Sequence, residues 1–315
     1  MKNVVVLGGG TGMSHLLSGL KLFPVSVTAV ISVADNGRST GVLKRELDIP
    51  AVGDIGKVML TMANENVDLV NLMSYRFNIP SLENHPIRNI LLAALIEQKG
   101  NLTDAIDCMC KLLNIRGRIL PVTEEKIELV GTMEDGSKIL GEENITKSDK
   151  KILELSYDRD FNVNKEVIKA IKNADLIIIS PGSLYTSIMP HLIIPEISNE
   201  INNSKAKKMY VSNIFTQPGE TEEFKVSDHL KVLENYINHI DVVIANDKNI
   251  PIKTAKKYET EEQKDQVKID KDEIEKLDCK LISDKLYHFS KLDGTIKHDP
   301  LKTSYLIFSY LMDEA

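Results

Sequence analysis

Cysteine is scarce in this 315-residue chain, which has only Cys108, Cys110 and Cys279. Three thiols make no even disulfide framework and no metal-spaced pairs, which fits a reducing compartment. On a helix Cys108 and Cys110 would stand about 200° apart, so they are expected at core or boundary positions. An excess of basic charge is also missing. With 39 Lys and Arg against 46 Asp and Glu, the chain carries a net charge of -7. No global positive field draws in nucleic acid, and no nucleic-acid partner is expected. Long apolar runs are absent too. The chain opens with one lysine and a short apolar strand, too brief for a signal-peptide core or a membrane span, so a cytoplasmic protein is expected. There is no repeat of solenoid period, no Gly-rich Lys-Ser/Thr loop, no nucleophile elbow and no paired metal-binding histidines.

What is present is an alternation. Apolar, β-rich runs at 3–8, 25–34, 174–180, 207–213 and 241–246 are separated by segments of helical period, which predicts a mostly parallel sheet with helices packed on it. Helices are predicted after the first strand and over 54–63, 69–77, 86–98, 102–114, 164–173, 186–199 and 228–239, with a last one after Asp299-Pro300. Between about 116 and 147 the period changes to short strands around the turn Glu134-Asp135-Gly136-Ser137, predicting a small β-rich insertion. The stretch 253–276 is so charged that it reads as a solvated excursion without a ligand role. At 42% hydrophobic residues the chain buries a sizeable core, expected as one α/β domain over 1–315.

Polar turns fall at the carboxyl ends of successive strands, where ligands bind in open parallel sheets. Gly8, Gly9, Gly10, Thr11 and Gly12 follow the first strand, allowing a sharp turn whose N–H groups and helix start face an anion. The dinucleotide fingerprint is broken, because Met13 stands where its third glycine belongs. Asp35, Asn36, Arg38, Ser39 and Thr40 follow the second strand. Asp35 there suits ribose hydroxyls, a sugar or Mg²⁺, and its neighbours offer donors to phosphate. Asp54, Asn84, His85, Arg88 and Asn89 crowd two later helix starts. Gly182, Ser183, Tyr185, Thr186 and Ser187 form a second candidate anion turn. Asn213, Thr216 and Gln217 supply uncharged groups suited to a base or sugar. Together these turns predict one long cleft. Asp54, His85, His191, His229 and His298 are isolated in sequence, and spacing alone assembles no base and nucleophile from them.

Taken together, "VVVLGGGTG", "VADNGRSTG", "GDIGK", "HPIRNILLAAL", "DGSKILGEENI", "SPGSLYTSIMPHLIIPEI", "VSNIFTQPGETEEF" and "KHDP" resemble the YvcK/CofD family, and more closely its YvcK branch. The resemblance covers nearly the whole chain outside 253–276. It implies a Rossmann-like, doubly wound α/β fold and a regulatory protein that binds a UDP-sugar such as UDP-N-acetylglucosamine. Proteins of that branch support cell shape and wall synthesis during gluconeogenic growth. The CofD branch implies an alternative: an Mg²⁺-dependent transferase moving a phospholactyl group from a guanosine-diphosphate-activated donor to a deazaflavin. In that case Asp35, with Asp54, would be the catalytic and metal-linked carboxylates. A weaker alternative is NAD binding, resting on the opening turn and Asp35.

On the first reading Gly9, Gly10 and Thr11 with Ser183 cradle a diphosphate, Asp35 and Asn213 meet sugar or base, and Lys297 or His298 closes the far end. A homo-oligomer is an open expectation. The chain departs from the family's usual ADDGGSSG by placing Asn36 at a carboxylate position, which weakens divalent-metal binding. It also has Gly56 for an arginine in "GDIRN" and Arg88 for a glycine in "HSIGN". One guanidinium reaching the same place from the other loop would explain that exchange.

Overall fold

The computed structural model describes residues 1–64, 67–79, 82, 85–290 and 294–313, with the side chain of Arg38 outside that set. Twelve strands are numbered in chain order: β1 (Lys2–Gly8), β2 (Val25–Ile31), β3 (Arg118–Pro121), β4 (Leu129–Met133), β5 (Lys138–Leu140), β6 (Ile152–Tyr157), β7 (Leu176–Ile179), β8 (Lys207–Val211), β9 (Val242–Asn246), β10 (Lys280–Asp284), β11 (Tyr287–Phe289) and β12 (Ile296–His298). Seven of these form one parallel sheet in the order β10-β9-β8-β7-β1-β2-β3. The central strands are buried along their apolar length, as a sheet covered on both faces requires.

The order fixes where a ligand belongs. From β1 the chain builds outward through β2 to β3, then returns to β7 on the other side of β1 and builds outward to β10. The direction reverses between β1 and β7, and the crevice outside the carboxyl ends of that pair is the place open α/β sheets use. The turns after β1 and β7 are the two candidate anion turns.

The segment placed in the β-rich insertion divides. Its first strand, β3, extends the main sheet by pairing with β2, while β4 and β5 join β6 in a separate antiparallel sheet of order β5-β4-β6. Short apolar runs do not declare which sheet they complete. The helix predicted over 186–199 is also broken. A π-helical turn Leu184–Ile188 runs into Met189–Leu192, and a new helix starts at Pro195, where proline lacks the N–H that a continuing helix needs. The charged excursion is ordered as two helices, Ile252–Glu262 and Lys271–Lys276, and it buries Tyr258 and Ile274. Among the described residues no helix is long and apolar enough to cross a membrane.

Candidate functional site

At the reversal of the sheet the two glycine turns touch. Gly10 has a φ of 63°, a left-handed conformation that glycine adopts at little cost, and it opens the helix Gly10–Leu20. A side chain at Gly12 would land on the carbonyl of Pro181, so only glycine lets the helix start approach the turn after β7 this closely. The Gly182 N–H donates to Asn213 Oδ1 at 2.9 Å and Asn213 Nδ2 donates to the Gly182 carbonyl at 2.7 Å. Both polar groups of Asn213 are thus spent on holding the turn. Ser183 caps the π-helical turn through Thr186 N and donates to the Glu220 carboxyl.

One cavity, of about 380 Å³, lies over this junction. Its floor is Gly12, Gly182 and Ser183. Asn213, Thr216 and Gln217 form one side, and Lys297 and His298 close the end. Tyr258 enters from the charged segment and stacks on Phe215 with ring centroids 4.2 Å apart and 16° between planes. Its hydroxyl accepts from Ile296 N at 2.8 Å, tying the segment to β12. A glycine floor, two lysines (Lys264 and Lys297) and an aromatic face suit a ligand that has a diphosphate and a ring.

A second cavity, of about 460 Å³, lies on the other side of the glycine turn and shares no lining residue with the first. Asp35, Asp54 and Glu142 line it together with Lys57, Arg76 and Arg88. Asp54 Oδ2 accepts from Gly10 N at 2.7 Å, and Lys57 Nζ donates to Thr11 Oγ1 at 2.6 Å, so this cavity's wall holds the first glycine turn in place. Burial, and then the charge of Asp54, pushes the Asp35 carboxyl up to about 6. Burial also raises Asp54, and raises Glu142 well above the ordinary carboxylate range, with Asp35, Asp54 and Glu220 adding to the latter.

The profile of 2-phospho-L-lactate transferase CofD matches residues 4–287. The chain belongs to the CofD family. Among curated members, the gluconeogenesis factor of Halalkalibacterium halodurans is 40% identical over 310 residues, 97% of this chain and 95% of that one. That of Bacillus subtilis is 37% identical over 314 residues, 98% of each. A crystal structure of a UPF0052 family member from Bacillus halodurans superposes with a TM-score of 0.93 at 39% identity, covering 98% of this chain and 99% of that one. The YvcK branch of the CofD family and its doubly wound α/β fold are the ones the motifs resemble.

Within this CofD-family fold the candidate residues divide between the two cavities instead of lining one cleft. Gly12, Gly182, Ser183, Asn213, Thr216, Gln217, Lys297 and His298 line the first. Asp35, Ser39, Asp54, Arg88 and Asn89 line the second. Gly9, Gly10 and Thr11 stand between them, held by Asp54 and Lys57. Tyr185 and Thr186 lie in the π-helical turn, where Tyr185 N donates to Glu220. Asn36 faces neither cavity's ligand space. Its Oδ1 accepts from Glu143 N and its Nδ2 donates to Glu128, so it braces the inserted sheet's helix. His85 is buried with Nδ1 at 2.5 Å from Ser39 Oγ. Arg88 packs its stem against Gly56. Asn84 lies outside the described residues. His191 is buried against the carbonyls of Val30 and Ile188, and burial lowers it to about 4, a structural role.

The reading of 253–276 as solvated and without a ligand role is corrected, because Tyr258, Glu262 and Lys264 line the first cavity. One aromatic among many charges was the available signal. Glu220 was also missed. It accepts from Ser183, Gln217 and Tyr185, and burial pushes it up to about 7. The folded protein therefore holds a proton on Glu220 that the unfolded chain releases near the ordinary glutamate value. Stability contributed this way is present at low pH and lost as pH rises towards 7. Glu220→Gln is expected to flatten the fall in denaturant-measured stability between pH 5 and 7.5, by up to about 3 kcal/mol. A wild-type slope retained in the variant would count against it.

Proposed function

We propose that this chain is a nucleotide-sugar-binding regulatory protein, acting in the cytoplasm on cell shape and wall synthesis as the gluconeogenesis-factor branch implies. The observation that carries the reading is the contact of two glycine turns at the reversal of the sheet. Turns of this kind at the carboxyl ends of parallel strands commonly hold a diphosphate. On this reading the diphosphate of a UDP-sugar lies against Gly12, Gly182 and Ser183 in the first cavity. Its ring systems then lie towards Thr216, Tyr258 and Lys297.

A second reading, Mg²⁺-dependent group transfer, is supported by Asp35 and Asp54 meeting beside the turn. Magnesium is commonly held by one or two carboxylates plus phosphate, so this pair suits it, and bound there it would neutralise charge on a diphosphate leaving group. Asp54 Oδ2 already accepts from Gly10 N and Asp35 Oδ1 from Gly37 N, so each carboxyl is engaged through one oxygen. Among the described residues no three His, Cys, Asp or Glu side chains gather as a ligand set.

Calorimetric titration with UDP-N-acetylglucosamine, GDP and NAD, each with and without Mg²⁺ and followed by assay for released nucleotide, separates the readings. Metal-independent UDP-sugar binding without turnover is expected. GDP preference with Mg²⁺-dependent release would establish the transferase instead, and binding of NAD alone would overturn both.

A further inference from the structure

We propose that the second cavity is a separate site for a small sugar phosphate, linked to the nucleotide groove through the glycine turn. Its size lies in the range that holds small ligands, and its lining is chemically mixed. The cations in it are Lys57, Arg76 and Arg88. The Nε of Arg88 is buried without a hydrogen-bond partner in the protein. Beside it opens the helix Arg38–Glu46, from whose start Ser39 and Thr40 line the cavity. A phosphate monoester meets both features, because a guanidinium fork and helix-start N–H groups each favour a compact dianion.

Acceptors line the same cavity, with the Asn89 Oδ1 against Gly56 beside the Arg88 stem. Asp35 and Glu142 bring carboxyl groups, Asp35 with its Oδ1 already accepting from Gly37 N at the start of that helix, and Asn89, only 3% exposed, keeps its Oδ1 without any donor while its Nδ2 is held by Ser39. A buried acceptor left unmatched costs free energy that a ligand hydroxyl recovers. A bare phosphate satisfies only the cations, and an uncharged sugar only the acceptors. A phosphorylated polyol satisfies both.

The link to the groove rests on the nucleotide-sugar reading. Lys57 reaches from this cavity to Thr11, and Asp54 to Gly10, so a phosphate drawing on Lys57 bears on the turn that would cradle the diphosphate. By linkage each ligand then alters the affinity of the other by the same factor.

The test is calorimetry of the full chain with glucose 6-phosphate, alone and with saturating UDP-N-acetylglucosamine, alongside inorganic phosphate and glucose. One-to-one binding of glucose 6-phosphate is expected in both settings, about tenfold or more tighter than either fragment and about tenfold weaker in Arg88→Gln. Arg76→Ala, at an exposed position, repeats the test should Arg88→Gln melt early. No binding overturns the proposal. So does phosphate binding as tightly as glucose 6-phosphate, full competition by the UDP-sugar, or wild-type affinity in both variants. A chain that binds glucose 6-phosphate but no nucleotide refutes the nucleotide-sugar reading and leaves the second site standing.

Discussion

Gly12→Ala should weaken UDP-sugar binding about a hundredfold, or close to 3 kcal/mol. The added methyl would fall on the Pro181 carbonyl, within the backbone contact that sets the spacing of the two turns. Backbone cannot rotate away as a side-chain tip can, so the helix start and the turn must part. The floor of the first cavity then shifts, and preorganised groups lose most of their value when misplaced by an ångström. Overpacking of this kind also costs about 1–3 kcal/mol of stability. Calorimetry on a variant shown by its denaturation curve to be folded separates the two effects. A folded Gly12→Ala chain with unchanged affinity would show that the contact of the turns does not form the site.

Lys44→Ala should cost about 3–5 kcal/mol of unfolding free energy, the amount typical of breaking a buried pair on one side. Lys44 is 1% exposed, donates to the Ile127 carbonyl at 2.6 Å and pairs with Glu128 at 3.0 Å. It also donates to the carbonyl of Ala34, next to Asp35. Truncation leaves two carbonyls and a half-buried carboxylate without their cation, and it loosens the loop that carries Asp35 against the strand leading into the inserted sheet. Lys44→Met, which keeps the volume but not the charge, should recover only part of the loss. Urea denaturation of both variants measures this, and a loss below 1 kcal/mol in Lys44→Ala would mean that water replaces the ammonium.

Much of this arrangement was legible in the residues themselves. Strand-turn-helix units announced the parallel sheet, and the glycines and hydroxyls at strand ends marked where a ligand would lie, because anion binding at a helix start is a local property. The division into two cavities was not legible. It depends on Asp54 and Lys57 crossing 44 and 46 residues of sequence to grip the first glycine turn, a tertiary contact with no local pattern. Nothing in the spacing around Lys44 shows that Glu128 and two carbonyls enclose it. Tyr258 was hidden for the opposite reason, because the surrounding charge described the outer face of its helix and one residue turned inward. Asn36 was read among the ligand-facing residues, and its bracing of the inserted sheet needed the fold.

The most direct measurement is a crystal structure of the chain grown with UDP-N-acetylglucosamine. The account predicts density for the diphosphate against Gly12, Gly182 and Ser183, with the remainder of the ligand between Thr216, Tyr258 and Lys297. Density for the nucleotide among Asp35, Glu142 and Arg88 instead would contradict the assignment of the two cavities.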